Sequence, residues 1–438
     1  MTNCFASHVS YISCACNRVP HSADYGKNGL LCYGASNAVQ IYDLRTVNNA
    51  KVLQTLYHHS DRVNVVRWIK SSLTNFETEL ISASSDGTAI IWSKVESYYK
   101  VTSIININDP LSVCYAIYTS ENSKSNLLIC TGSINGDFRL WKRDTSKEAL
   151  LFQTLSFVQK LPIQACISFL PQSNNPLLIV AFDDSTIQLF SQNSADSSFV
   201  KMKVLIGHED WITCMDIIQD DNGNCFLASG SQDSLIRLWK FMVKRKNTAV
   251  NDIKSKTENF KVNEEYEVVL ESILSGHEGW VYGVNWHPLI ENDGKWTQPM
   301  KLLSCSLDKS MVVWELSKDN GVWMESVRVG EVGGNSLGFY GCKFGPAGHT
   351  ILAHGYQGTF HIWRYLKDST NWDPIPAPSG HFGGVVDLCW DPKGRYQDVY
   401  KSKSFVRVKS GGLVVLISHA FQMHLGWKLR ILWLCAVE

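Results

Sequence analysis

The sequence predicts an all-β protein in which seven sheets form the blades of a β-propeller ring. The first observation is a repeat, a turn with an acid or amide followed six positions later by a strand residue that is aromatic in six of the seven copies. The copies are Asn37/Asp43, Asp86/Trp92, Asn135/Trp141, Asp184/Phe190, Asp233/Trp239, Asp308/Trp314 and Gln357/Trp363. The second is that apolar and polar residues alternate between them, as at 235–239, with the period of a half-buried strand. A unit of about 40–50 residues with four short strands is typical of a propeller blade.

Each predicted blade is marked by the residue at which its central pair of strands ends. In chain order these residues are Tyr42, Trp92, Trp141, Phe190, Trp239, Trp314 and Trp363. If residues 10–19 form the first inner strand and 371–379 the last outer one, the ring closes within residues 5–380. Residues 241–270 are rich in Lys, Asn and Glu, which predicts a polar insertion between the fifth and sixth blades. Residues 290–299 predict a shorter loop inside the sixth blade.

The composition is electrically balanced, with 41 basic and 41 acidic residues. No overall field therefore draws the chain toward nucleic acid or anionic lipid. The 13 cysteines are scattered without CxxC pairs, and the first residues lack a secretory-signal pattern. Both features favour reduced thiols in the cytoplasm or nucleus.

Three repeats add a histidine upstream of the turn, and in this they resemble WD repeats. In WD-repeat propellers a His, a strand Ser or Thr, the turn Asp and the Trp form a buried hydrogen-bonded tetrad. By matching position, the resemblance implies three tetrads: His59, Ser82, Asp86 and Trp92; His208, Ser229, Asp233 and Trp239; and His277, Ser304, Asp308 and Trp314. A buried carboxylate must be paired and a buried Trp N–H needs an acceptor, so these residues are interpreted as staples within each blade.

The sequence predicts no catalytic, cofactor-binding or metal-binding residues. A Ser-His-Asp triad uses the same residue types as the tetrads, but a nucleophile would occur once, at an exposed elbow, and would not recur in register. Cys14 and Cys16 fall on one face of a predicted strand, where core packing explains them better than a metal. The acidic turn that starts at Asp220 has Ser231 where a calcium loop needs Glu, and no P-loop motif occurs.

The end of the chain departs from the repeat. Residues 381–394 look like the first strand of a further WD repeat, which would begin a second propeller. The pattern is then lost, and residues 395–438 are predicted to be a divergent, irregular tail derived from a transcript junction. His419, His424, Lys428 and Arg430 interrupt its apolar stretch, well short of the ~20 residues that a spanning helix needs, so no membrane contact is expected.

Residues 207–212, 231–240 and above all 321–344 resemble the WD-repeat subunit of the Elongator complex, and the resemblance covers roughly residues 5–394. Members of that family carry two propellers, so this chain would hold the first and the opening strand of the second. Asn135 and Gln357 replace the turn Asp and depart from the pattern, as do the residues that follow each Trp. The blades without a full tetrad are expected to be less stable.

The resemblance implies a non-catalytic scaffold in the cytoplasm and nucleus. Its expected partners are the catalytic acetyltransferase subunit and the large scaffold subunit of Elongator, which modifies the wobble uridine of tRNA. Contact with tRNA is expected to be at most indirect. The alternative is a WD-repeat adaptor outside Elongator that binds a peptide or RNA.

Two sets of residues are candidates for partner contacts. Trp211 and Trp280 follow the two Gly-His turns, and either pack on the next blade or contact a partner. Lys244, Arg245 and Lys246 lie in the polar insertion, where they form a solvated loop or an RNA contact. An RNA contact would make binding steeply dependent on salt.

Overall fold

The computed structural model describes most of the chain from residue 16 onward. The described residues are 16–44, 51–70, 76–121, 124–144, 148–157, 159–193, 196–244, 260–261, 265–292, 294–317, 319–329, 338–356, 358–366, 371–375, 385–390, 397–401, 413–422 and 428–436. The side chains of residues 385–436 are not described. Residues 1–15 lie outside the described part, and with them most of the first inner strand predicted at 10–19. Residues 16–19 are not in a strand, and the inner strand of the first blade is Ala23–Tyr25, so its predicted position was wrong.

The predicted seven-bladed, all-β propeller is confirmed, because seven consecutive antiparallel sheets follow one another along residues 23–375. Blade 1 contains β1 (Ala23–Tyr25), β2 (Leu30–Ala35), β3 (Ala38–Asp43) and β4 (Lys51–Tyr57). Blade 2 contains β5 (Val63–Trp68), β6 (Glu79–Ser84), β7 (Thr88–Val95) and β8 (Tyr98–Asn106). Blade 3 contains β9 (Leu111–Glu121), β10 (Lys124–Ser133), β11 (Asp137–Asp144) and β12 (Leu150–Ser156). Blade 4 contains β13 (Pro162–Phe169), β14 (Pro176–Phe182), β15 (Ile187–Gln192) and β16 (Phe199–Leu205).

The last three blades carry additional elements. Blade 5 contains β17 (Ile212–Gln219), β18 (Cys225–Ser231), β19 (Leu235–Val243), β20 (Phe260–Lys261) and β21 (Tyr266–Ser275), with β20 at the outer edge. Blade 6 contains β22 (Val281–Trp286), β25 (Lys301–Ser306), β26 (Met311–Leu316) and β27 (Trp323–Val329), and β23 (Ile290–Asn292) and β24 (Lys295–Thr297) form a hairpin after β22. Blade 7 contains β28 (Phe339–Phe344), a 3₁₀ helix (Pro346–Gly348), β29 (Thr350–Gly355), β30 (Phe360–Leu366) and β31 (Asn371–Ile375).

Two predicted loops contain more regular structure than expected. The ends of the 241–270 segment belong to blade 5, because Phe241 pairs with Val268 and both side chains are buried. Apolar residues at alternate positions therefore extend the strands into the polar segment. The predicted loop at 290–299 is the β23–β24 hairpin.

One more sheet follows blade 7. It contains β32 (Val385–Trp390), β33 (Gln397–Lys401), β34 (Leu413–Gln422) and β35 (Lys428–Ala436). β32 falls where the first strand of a further repeat was predicted, and the start of a second propeller stays a prediction. The tail is less irregular than expected, since its runs of Leu, Val and Ile favour strands.

The first blade departs from the repeat because its turn is one residue shorter. Ala35 pairs with Ala38 around a two-residue turn, where Ser36 has a φ of 54°. In blade 2 the same turn has three residues between Ser84 and Thr88. The aromatic position in blade 1 is therefore Tyr42 rather than Asp43. The shorter turn also lacks the position that the aspartate occupies in the turn of blade 2. As at Trp92 in blade 2, the ladder to the outer strand shifts by one residue at Tyr42.

The hydrophobic core is divided among the seven interfaces between neighbouring blades. Each of seven buried clusters combines residues of two adjacent blades, and one of them joins the first blade to the last. In this closing cluster the rings of Tyr33 and Phe360 meet edge to face, with centroids 5.1 Å apart. Lys343 Nζ lies 3.1 Å from an oxygen of Asp24 at the same seam. Ring closure therefore depends on side-chain packing and on an ion pair.

The closing cluster generates a prediction about stability. Replacement of Phe360 by Ala should lower the free energy of unfolding by about 3–5 kcal/mol, since it leaves a cavity at the seam. Urea unfolding followed by circular dichroism measures the change. The matched control is Phe76→Ala, because Phe76 is 61% exposed, and we expect a change within about 0.5 kcal/mol. Equal effects of the two substitutions would contradict closure by packing.

Candidate functional site

The structure brings the four predicted side chains together in each of the three blades. In blade 6, Trp314 Nε1 donates to Ser304 Oγ at 2.9 Å, and Ser304 Oγ lies 2.7 Å from His277 Nε2. His277 Nδ1 lies 3.1 Å from Asp308 Oδ2. An ionised carboxylate can only accept hydrogen bonds, so His277 Nδ1–H donates to Asp308. His277 Nε2 then accepts a hydrogen bond from the hydroxyl of Ser304. The corresponding distances are 3.1, 2.9 and 2.8 Å in blade 5 and 2.8, 2.8 and 3.1 Å in blade 2.

The tetrad aspartate also ties two loops together. Asp308 Oδ2 accepts the backbone N–H of Glu278 at 2.9 Å, and Oδ1 accepts the backbone N–H of Ser310 at 2.8 Å. Burial opposes ionisation of Asp308, but hydrogen bonds from His277 and Ser310 outweigh it and hold the pKa of this carboxyl below its usual value. Asp86 and Asp233 have pKa values lowered by the same balance. In each of the three blades with a tetrad, the loop that precedes the first strand is thus bonded to the turn between the second and third strands.

The blades without a complete tetrad use other pairs. In blade 3, Trp141 Nε1 donates to Thr131 Oγ1 at 2.9 Å, and Asn135 Nδ2 donates to Asp109 Oδ1 at 2.8 Å. In blade 4, Asp184 pairs with Lys160. Gln357 of blade 7 lies outside the described residues.

The tetrad serines have no access to a substrate. Ser82, Ser229 and Ser304 are fully buried, and each accepts a Trp N–H. Their geometry therefore suits a structural staple and not a nucleophile. Within the described residues, no group of three or more His, Cys, Asp or Glu side chains is arranged to hold a metal.

The channel along the ring axis contains a small cavity of ≈ 30 Å³. Its lining includes Arg67 and His354. Arg67 Nε and His354 Nε2 are buried, and neither has a hydrogen-bond partner among the described residues. The ring of His354 packs against Gly341, where a Cβ atom would come within 2.3 Å of His354 Cε1. The cavity is large enough for a water molecule.

The mouth of the channel lies on the face that carries the tetrad loops. It is a cavity of ≈ 400 Å³ whose lining includes Arg62, Ile134, Trp211, Tyr282 and Tyr340. Neither tyrosine was predicted from the sequence as a site residue. Tyr282 follows Trp280 by two positions, and this strand alternation was the signal for it.

The candidate contact residues lie in two places. Trp211 is 51% exposed and Trp280 is 44% exposed, so neither is covered by the next blade. Lys244 is half-buried at the end of β19, and its backbone N–H donates to the carbonyl of Glu265 at 2.7 Å. Arg245 and Lys246 lie outside the described residues.

The three blades with complete tetrads also match a known family. The model described as "WD domain, G-beta repeat" matches residues 50–93, 199–240 and 269–315. The seven sheets, the recurring tetrads and this match define the chain as a WD-repeat β-propeller protein.

Curated proteins narrow the class further. The chain is 38% identical to Elongator complex protein 2 of Danio rerio over 393 residues, which is 88% of this chain and 46% of the relative. It is 38% identical to the Homo sapiens protein of the same name, over 89% of this chain and 48% of the relative. Over most of its own length, the chain is therefore similar to Elongator complex protein 2. It spans about half the length of the curated relatives it matches.

A serine substitution tests the tetrads. Ser304→Ala should lower the free energy of unfolding by about 2–3 kcal/mol, because it leaves a buried Trp N–H and a buried His nitrogen without a partner. Thr131→Val in blade 3 is the comparison, since it removes the acceptor of the Trp141 N–H and a longer bond of 3.4 Å to the carbonyl of Arg139. About 1 kcal/mol is expected. Chemical denaturation of both variants measures the difference. A smaller loss for Ser304→Ala than for Thr131→Val would refute the staple interpretation.

His354 generates a prediction about pH. Burial lowers its pKa from 6.5 to about 4, more than the hydrogen bond to Val19 raises it. As the pH falls, His354 is therefore protonated in the unfolded chain before it is protonated in the folded protein. The contribution of neutral His354 to the free energy of unfolding is complete above pH 6.5 and is lost as the pH falls to about 4. It amounts to about 3 kcal/mol. In His354→Gln, the unfolding free energy should change less between pH 7 and pH 4, and the same slope in both proteins would contradict the assignment.

Proposed function

We propose that this chain is a non-catalytic scaffold subunit of the Elongator complex. In this role it binds the catalytic acetyltransferase subunit and the large scaffold subunit, and so supports modification of the wobble uridine of tRNA, which it touches at most indirectly. The similarity to Elongator complex protein 2 across 88% of the chain carries the proposal. Cytoplasm and nucleus are the proposed locations.

The geometry is suited to a scaffold. Each blade is packed between two neighbours, so the ring holds its loops in fixed positions on two faces, where different partners can dock without rearrangement of the core. The polar residues that resemble a catalytic triad are buried in hydrogen bonds within the blades. They contribute to stability and leave the two loop faces for binding.

A second candidate is a peptide-binding adaptor outside Elongator. The observation in its favour is the mouth of the channel, where an exposed Trp211 and two tyrosines surround a cavity of ≈ 400 Å³. An adaptor would bind its peptide in the absence of the other Elongator subunits. Recovery of those subunits therefore distinguishes the two functions.

Co-purification tests the scaffold proposal. The 438-residue chain is co-expressed with the catalytic and large subunits, and a version that ends at Gly380 is purified in parallel. We expect both chains to recover both subunits, because the ring ends before Gly380. A folded monomer, verified by size-exclusion chromatography, that recovers neither subunit would contradict the proposal.

A further inference from the structure

Four aromatic side chains from blades 6 and 7 form a continuous row beside the mouth of the channel. We call Trp280, Tyr282, Tyr340 and Tyr356 the aromatic arc. The ring centroids of Trp280 and Tyr282 are 6.3 Å apart, those of Tyr282 and Tyr340 are 5.1 Å apart, and those of Tyr340 and Tyr356 are 5.2 Å apart. Tilted and edge-to-face contacts of this kind keep the rings in place.

The arc is open to a ligand. Trp280 is 44% exposed, and Tyr282 and Tyr340 line the mouth cavity together with Trp211, which is 51% exposed. The volume of ≈ 400 Å³ lies in the range of pockets that hold small ligands or a few side chains. Exposed large aromatic side chains around a cavity are typical of an interface hot spot.

The loops that carry the two tryptophans are acidic. Residues 207–211 and 276–280 contain Glu209, Asp210 and Glu278 and no Lys or Arg. Glu209 and Glu278 are exposed, and their backbone N–H groups donate to the tetrad carboxylates of Asp233 and Asp308. The tetrads therefore hold negative charge beside the exposed rings. A cationic ligand complements both features.

The structure already contains a cation on the arc. The guanidinium carbon of Arg18 lies 5.6 Å from the centroid of the Tyr356 ring, within the range of a cation–π interaction. Arg62 is at the mouth as well, but it comes from blade 2, and its Nε donates to Asn64 Oδ1 at 2.9 Å. Arg237 and Arg328 donate to the carbonyls of Gly207 and Gly276 at 2.7 and 2.9 Å, and Arg328 also pairs with Glu325. The carboxylates of Glu209, Asp210 and Glu278 outnumber these two cations, so the sector formed by blades 5 to 7 is the part suited to an incoming cation.

We propose that the aromatic arc and Trp211 bind a basic, extended peptide segment of a partner protein, with an Arg or Lys side chain stacked on the rings. The proposal deepens the scaffold function, on which it rests, by assigning one docking site and its ligand chemistry. Bases of single-stranded RNA also stack on aromatic side chains. The carboxylates of the two loops repel phosphates, and this favours the peptide.

The test uses the full 438-residue chain and a fluorescent peptide of twelve residues that alternates Arg with Ser. The comparison ligands are the same peptide with citrulline in place of Arg, which keeps the shape without the charge, and single-stranded poly(U) RNA. Fluorescence anisotropy measures Kd. We expect binding of the Arg peptide, and at least about tenfold weaker binding of both comparison ligands.

Variants locate the binding site. Trp211→Ala and Trp280→Ala should each weaken binding about three- to tenfold. Glu209→Gln with Glu278→Gln should weaken it about threefold and reduce its dependence on salt. The matched control is Trp296→Ala, because Trp296 is 49% exposed on the β23–β24 hairpin, away from the mouth residues. We expect this control to bind like the unmodified chain.

Three results would overturn the proposal. They are no binding of the Arg peptide at 1 mM, binding that Trp211→Ala and Trp280→Ala leave unchanged, and tighter binding of poly(U) than of the peptide through the same tryptophans. Each leaves the scaffold function separately testable. If the unmodified chain still recovers the two Elongator subunits while the peptide does not bind, the docking proposal fails and the scaffold proposal stands.

Discussion

The contact between the first and last blades is the constraint on which the rest of this structure depends. A four-stranded sheet has two faces to cover, and in this ring each face is covered by a neighbouring blade, as the seven interface clusters show. Six interfaces follow from the order of the chain. The seventh joins residues far apart in sequence, such as Tyr33 and Phe360. Without it, blades 1 and 7 would expose apolar faces, and the ring would be an open arc.

The tetrads connect this packing to the functional face. Each buries a Trp against its own blade, and its carboxylate holds the loop that precedes the blade. Trp211 and Trp280 lie on two of those loops, three positions after the tetrad histidines. The same hydrogen bonds therefore stabilise the blades and set the position of the exposed rings beside the channel. A scaffold needs this property, because its binding surfaces are presented before a partner arrives.

The sequence predicted the parts of the fold that repeat. Ser229, Asp233 and Trp239 have the same spacing as the corresponding residues of the other two tetrads, because all three blades form the same local hydrogen bonds. This repetition made the ring and the tetrads predictable. The repeat placed the aromatic position of blade 1 at Asp43, one residue after Tyr42, because the turn of blade 1 is one residue shorter than the repeat led us to expect. The pairing of Tyr282 with Tyr340 was not predictable, since it joins two blades and has no local spacing. Phe241 and Val268 were hidden within a segment whose average composition is polar.

Hydrogen exchange tests the closed ring most directly. Mass spectrometry under native conditions reports the free energy at which each strand opens, and the informative peptides cover residues 31–33, 178–180 and 351–353, which lie in blades 1, 4 and 7. If closure by packing is correct, the three segments exchange at the same free energy, that of global unfolding. Exchange of residues 31–33 and 351–353 at a free energy several kcal/mol below that of residues 178–180 would show that the seam opens on its own. That result would contradict the account of a closed, rigid platform.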